Sequence, residues 1–327
     1  MRKCIVSKLI LLVVILSMTL VACTSGTNSI NNDDNIIIGI SQLSDHPALD
    51  DARQGFEDGL KELNIDAEIV YQNAQGDVPT SLSISQKFVE DKVDLIYAIA
   101  TPAAQSAKQS TDEIPILFSA VTDPVAAEIV DDWDNVGGNV TGTSDMAPTS
   151  SQLKMFKKID PDIGTIGILY NTDESNSEVQ IEEVKKLAPE EELKVVTKGV
   201  NNVNDIPQSL DSLLSKVDAL YIVSDNLIAS SIELVSNKLI EKNMISISAE
   251  ESQVGGGILL TNGLSYYELG KQTAEMAKRI LVDEENISNL PVEKAEETLI
   301  KVNEKTLKEL NLDTDLPIFK DATKISE

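Results

Sequence analysis

Two short runs in this chain carry the residue types that hold the two ends of a zwitterion. One is Thr101-Pro102-Ala103 and the other is Asp225-Asn226. Each follows a strand-like segment with shared wording, Val93-Asp94-Leu95-Ile96-Tyr97 in the first case and Val217-Asp218-Ala219-Leu220-Tyr221 in the second. Aligning those segments puts Thr101 opposite Asp225. A hydroxyl beside the unpaired amides of a helix that opens at Pro102 suits an anion such as a carboxylate. An ionised carboxylate only accepts hydrogen bonds, so Asp225 suits an ammonium group. Threonine and aspartate also cap helices well, so capping stands as the alternative for each residue taken alone.

The remaining candidates come from the neighbouring strand ends. Ser41-Gln42 closes the first strand, and its counterpart is Tyr170-Asn171 with Asn176 beyond. Thr122-Asp123 follows a later strand and stands opposite Ser248-Ala249-Glu250. Thr122 is expected to add a donor. Asp123 and Glu250 are expected to add acceptors, to cap, or to face water. Tyr170 is expected to supply a flat apolar face. His46 precedes a helix, which favours a cap or a hydrogen bond over catalysis. No Gly-x-Ser-x-Gly elbow occurs and the single histidine has no evident nucleophile, so binding is expected rather than an enzyme. One histidine and two cysteines fall short of a His/Cys zinc site. No metal and no cofactor are expected.

These residues need elements to carry them. From Asn35 onward, strand-like and helix-like runs alternate. Ile36–Ile40 is a continuous apolar run, as a buried parallel strand requires. Pro47–Leu63 places Leu49, Ala52, Phe56, Leu60 and Leu63 at helical spacing. The same order returns after Thr165, ending in a helix read over Leu227–Ile240 and a strand over Met244–Ser248. Repeated β-α units predict parallel sheets with helices on both faces. The repeat predicts two Rossmann-like α/β lobes joined by a hinge, with ligands at the carboxyl ends of the strands. Lobe 1 is expected over 36–145 plus 263–291 and lobe 2 over 146–262 plus 292–327. The Gly-rich runs Gly137-Gly138 and Gly255-Gly256-Gly257 lack nucleotide-binding context and read as turns.

The chain has 327 residues with 27 Lys+Arg against 54 Asp+Glu, a formal charge of −27. That balance argues against nucleic acid and against a polybasic membrane patch. The basic residues Arg2, Lys3 and Lys8 precede an uncharged run from Leu9 to Ala22, which ends in Leu20-Val21-Ala22-Cys23. The run is short for a spanning helix and normal for a signal segment. Its end matches a bacterial lipobox. Residues 1–22 are therefore read as a lipoprotein signal peptide, Cys23 as the lipidation site and 23–35 as a flexible tether. The mature chain would then have no disulfide and would sit on the outer face of the cytoplasmic membrane, held there by lipid alone.

Further motifs carry a resemblance. Ile40-Ser41-Gln42 with His46-Pro47-Ala48-Leu49-Asp50, Tyr71-Gln72-Asn73-Ala74-Gln75-Gly76-Asp77, Ala100-Thr101-Pro102-Ala103-Ala104-Gln105 and Ala120-Val121-Thr122-Asp123-Pro124 resemble the TrpX-type substrate-binding lipoproteins of bacterial ABC importers. So do Gly138-Asn139-Val140-Thr141-Gly142 and Tyr266-Tyr267-Glu268-Leu269-Gly270. The resemblance implies a type I periplasmic-binding-protein fold with three crossovers, near Asp145, Asn262 and Pro291. It implies an amino-acid ligand, commonly tryptophan, phenylalanine or tyrosine, a permease and ATPase as partners, and a monomer. It also implies that Thr101 and Thr122 hold the ligand carboxylate and Asp225 the ammonium. Ser224-Asp225-Asn226 and Ala249-Glu250-Glu251 stand where relatives commonly have Thr-Asp-Asn and Gly-Glu-Glu. A lipid-anchored receptor of the same fold that signals, or one that binds another solute, is the alternative.

Overall fold

The computed structural model describes residues 35–295 and 297–326. The signal segment and the expected lipidation site Cys23 lie outside the described residues. Thirteen strands are found among the described residues: β1 (Ile36–Gln42), β2 (Ala67–Asn73), β3 (Leu95–Ile99), β4 (Ile116–Val121), β5 (Val140–Ser144), β6 (Thr165–Asn171), β7 (Lys194–Val200), β8 (Ala219–Ile222), β9 (Ile245–Ser248), β10 (Leu260–Gly263), β11 (Glu293–Lys294), β12 (Leu299–Asn303) and β13 (Thr323–Ile325). They form two sheets, β11-β5-β4-β3-β1-β2 and β13-β12-β10-β9-β8-β6-β7. Without their last-added strands, both have the order 2-1-3-4-5, a doubly wound arrangement whose switch point lies between the first and third strands.

The repeated Val-Asp wording now has a physical reason. Asp94 accepts the Ile37 amide at 2.8 Å, and Asp218 accepts those of Gly164 and Thr165 at 3.0 and 2.8 Å. Each aspartate ties the start of a third strand to the start of its first, so the same residue recurs where the same backbone donors need an acceptor. Strands β3, β4 and β5 are buried along their whole length, as continuous apolar runs under two helical layers must be. Phe56 stacks on Tyr97 with ring centroids 4.0 Å apart in the first lobe. Leu153, Phe156, Ile166, Ile168, Tyr221 and Ile247 cluster in the second.

Three crossovers join the lobes, and the structure moves two of them slightly. The first leaves β5 and enters helix Thr149–Ile159, an element the sequence reading did not identify. The second follows β10, because Asn262 is still paired to Ile300 inside the sheet. The third lies beyond Lys294 rather than at Pro291. Glu293 and Lys294 pair with Thr143 and Ser144, so these residues belong to the first sheet, a correction to the expected lobe 2 span of 292–327. Strand β12 runs antiparallel to β10, the exception in otherwise parallel sheets. The helix expected over Leu227–Ile240 is two helices, Asn226–Ala229 and Ile232–Glu241. It breaks where the Ser230 hydroxyl donates back to the Asn226 carbonyl and Ser231 leaves helical geometry.

After the second crossover, helix Tyr266–Leu281 returns to the first lobe and packs on helix Pro47–Glu62. The two approach backbone to backbone. A Cβ on Gly55 would stand 1.9 Å from the Tyr267 carbonyl oxygen, and one on Gly270 2.0 Å from that of Ala52. Among the described residues no helix is long and apolar enough to cross a membrane.

Candidate functional site

The carboxyl ends of the two sheets face each other, and a small cavity of about 20 Å³ lies between them. From the first lobe come His46, Ala48, Leu49 and Ala120. The second lobe brings Asn176, Ser224, Asp225, Asn226, Ala229, Glu250 and Gln253. Asp145 and Tyr266, beside the first two crossovers, complete the wall. The space equals about one water-sized probe, far below the roughly 300–1,000 Å³ of ordinary ligand pockets. The lobes are thus closed on each other, and a ligand of amino-acid size enters only if they part.

Direct bonds cross the gap. His46 Nε2 lies 3.1 Å from Asn226 Oδ1, and Gln180 Nε2 donates to Thr122 Oγ1 at 3.4 Å. Because an amide oxygen only accepts, His46 carries its proton on Nε2 and presents a bare Nδ1. Burial lowers its pKa, with Asn226 and the carboxylates of Glu174, Asp50 and Asp45 acting against that shift.

Four of the twelve expected residues line the cavity: Asn176, Asp225, Asn226 and Glu250. Asp225 caps helix Asn226–Ala229 through the Ile228 amide at 2.9 Å, and its other oxygen accepts from the Asn171 amide at 2.6 Å and the Ser177 hydroxyl at 2.7 Å. Burial, then the nearby Glu174 carboxylate, push Asp225 up to about 7. Burial also pushes Glu250 up to about 7, against two bonds from Ser252. Asn176 donates to the Ser224 carbonyl at 2.9 Å, while its Oδ1 accepts nothing from the described residues.

Six more stand at the strand ends of the first lobe. Ser41 and Gln42 close β1 and are fully buried. Gln42 donates to the Ser44 carbonyl and Asp50, and neither its Oε1 nor the Ser41 hydroxyl has a partner among the described residues. Thr101 is 1 % exposed and its hydroxyl is likewise unpartnered. It does not cap its helix. The N-cap is Ala100, at φ 87° and ψ 154°, a conformation that disfavours any residue with a Cβ. Helix Thr101–Ser110 therefore starts with no side-chain cap from the described residues, with Pro102 and Ala103 buried in its first turn. Thr122 is buried and meets Gln180.

Two expected residues are not brought to the cavity. Asp123 turns away and accepts the amides of Val125 and Ala126, both at 3.0 Å, because the chain turns sharply after β4. It borders an outer groove with Glu178 and Glu182. Tyr170, in register with Gly199 of β7, lies over that glycine and offers the cavity no aromatic face.

Four residues escaped the sequence reading. Glu174 takes five donors, from Asn171, Asn176, Leu227 and twice from Asn226, and so holds the Asp225 loop from behind. Gln253, Asp145 and Tyr266 reach the cavity from a short helix and two crossovers. The resemblance touches Tyr266 only within a motif and Asp145 only as a crossover, and no spacing rule reaches Glu174 or Gln253.

The comparisons agree with this architecture. The family model of ABC transporter substrate binding proteins matches residues 37–326. A tyrosine-binding protein of Clostridioides difficile is 42% identical over 279 residues, covering 84% of this chain and 81% of that one. A Streptococcus pneumonia ABC domain in complex with L-Trp superimposes with a TM-score of 0.85 at 32% identity, over 89% of this chain and all of that one. A ligand-free, open Clostridium difficile substrate-binding protein with adhesive properties is 42% identical, over 89% and 99%, yet superimposes at only 0.69. The weaker superposition on the nearer sequence fits the closed lobes described above. With two 2-1-3-4-5 sheets, three crossovers and a cleft at the facing strand ends, the fold is that of type I periplasmic binding proteins, and the chain belongs to the ABC transporter substrate-binding protein family.

Proposed function

We propose that this chain captures an aromatic amino acid, tyrosine first among them, in the interlobe cleft and delivers it to a membrane permease driven by an ATPase. It works on the outer face of the cytoplasmic membrane, tethered by a lipid on Cys23. The observation that carries the reading is the division of polar groups across the cleft. The first lobe offers the hydroxyls of Ser41 and Thr101, unpartnered among the described residues, beside a helix start to which those residues give no side-chain cap, groups that suit a carboxylate. The second lobe and the crossovers offer Asp225, Glu250, Asn176 Oδ1 and Asp145, acceptors that suit an ammonium. The tyrosine-binding relative and the L-Trp complex support the aromatic side chain.

A thermal-shift screen of the twenty amino acids against residues 24–327 tests this. Tyrosine, tryptophan or phenylalanine should raise the melting temperature, and silence from all three overturns the aromatic reading. Asp225→Ala is expected to abolish detectable binding. It should also cost about 1–3 kcal/mol of stability, since three protein donors lose their acceptor. A folded variant with unchanged affinity in calorimetry removes Asp225 from the site.

A further inference from the structure

Four carboxylates are buried in or just behind the cleft, and they differ in how much of their hydrogen-bonding capacity the protein already uses. Glu174 accepts five donors. Asp225 accepts three and Glu250 two, with both oxygens engaged in each case. Asp145 is different. Its Oδ2 accepts the Tyr266 hydroxyl at 2.5 Å, while Oδ1 has no donor in hydrogen-bond geometry among the described residues. The residue is 3 % exposed and lines the cavity. A bare carboxylate oxygen in that position costs free energy until something donates to it. The cavity's other polar atoms without a partner among the described residues, Asn176 Oδ1, Gln253 Oε1 and the bare Nδ1 of His46, are acceptors too. A set of acceptors with one underused negative charge calls for a cation with several N–H groups.

We propose that Asp145 is a principal contact for the ligand's ammonium group, with Tyr266 as the residue that positions it. This rests on the zwitterion reading above and adds a residue that the repeat did not identify. Its place in the fold gives the contact a consequence. Asp145 follows β5 on the first crossover, and Tyr266 opens the helix after the second. An ammonium on Oδ1 therefore bears on two of the three connections between the lobes at once, so that the charge of the ligand is read where the lobes hinge. Asp225, held by three protein donors, then shapes the site and adds its field.

The test is isothermal calorimetry of the wild type and Asp145→Asn with two ligands, L-tyrosine and its desamino analogue 3-(4-hydroxyphenyl)propionate at millimolar concentration. Burial raises the Asp145 carboxyl, with the Tyr266 and Thr122 hydroxyls opposing, so the neutral amide is expected to fold and to melt no lower than the wild type. Affinity for tyrosine should fall at least tenfold, while affinity for the analogue stays within about twofold. Tyr266→Phe should show the same selective loss at several-fold size, and it serves as the second variant should Asp145→Asn not fold. Equal losses on both ligands, or none on either, overturn the inference. A wild type that takes up none of tyrosine, phenylalanine and tryptophan overturns the reading beneath it instead.

Discussion

Glu250 and Asp225 are carboxyls both pushed up to about 7, chiefly by burial. A carboxyl whose folded pKa lies above its unfolded value near 4 binds more protons folded than unfolded between the two. Its stabilising contribution is full below about pH 4 and is lost as pH rises through 7. His46 acts in the opposite sense, since burial lowers its pKa and keeps it neutral, but that effect sets in below about pH 6.5. The ligand-free protein should therefore melt higher at pH 6.5 than at pH 8, and Glu250→Gln should show clearly less of that gain. An identical gain in the variant, followed by circular dichroism, would show that Glu250 does not titrate in this window. Residue types at strand ends made part of this site legible. Asp225, Asn176 and Glu250 are found from the repeat because their positions depend on the strand that precedes them. Asp145, Tyr266 and Glu174 are not, since connections of irregular shape bring them in, and no spacing rule encodes those shapes. The same limit explains Asp123, whose polar side chain meets two turn amides before it can reach the cleft.

Strands and helices are read more easily than their joints, and the contact between Pro47–Glu62 and Tyr266–Leu281 shows why. The periodicity of Pro47–Leu63 is evident in the sequence, and Gly55 and Gly270 stand in plain sight, yet nothing local says that these two glycines meet the partner helix. In the structure both are sites where the opposing carbonyl leaves no room for a Cβ. Gly270→Ala must push the helices apart or strain them, at an expected cost of about 1–3 kcal/mol, measurable by urea denaturation. A cost below about 0.5 kcal/mol would mean that the contact relaxes freely. The broken helix at Ser230 teaches a related lesson. Ile228, Ile232, Val235 and Leu239 keep helical spacing across the break, so the apolar pattern runs on while the Ser230 hydroxyl competes for the backbone. What the pattern did convey was the alternation of elements and their repetition. That sufficed for most of both sheets, because most consecutive parallel strands are joined through a helix whose handedness is restricted, β4 and β5 being joined by a loop instead.

At the scale of the molecule, two side-chain hydrogen bonds tie the lobes across the cleft among the described residues. His46 meets Asn226 and Gln180 meets Thr122, and each such bond contributes on the order of 1 kcal/mol. A balance set by so little energy shifts readily, as binding by closure requires, because a ligand moves the equilibrium only by its preference for one state. His46 is the better point to probe, since it lies on the first lobe and its partner Asn226 is fixed from behind by Glu174. His46→Ala should move the ligand-free protein toward the open form and leave each lobe folded. Small-angle scattering should then show a larger radius of gyration than the wild type without ligand, and the same radius once tyrosine is saturating. Affinity should fall by about fivefold to tenfold, mostly through faster release, as the loss of one cross-cleft bond implies. An unchanged radius together with unchanged affinity would mean that closure rests on other contacts, with the Gln180 to Thr122 bond the next to remove.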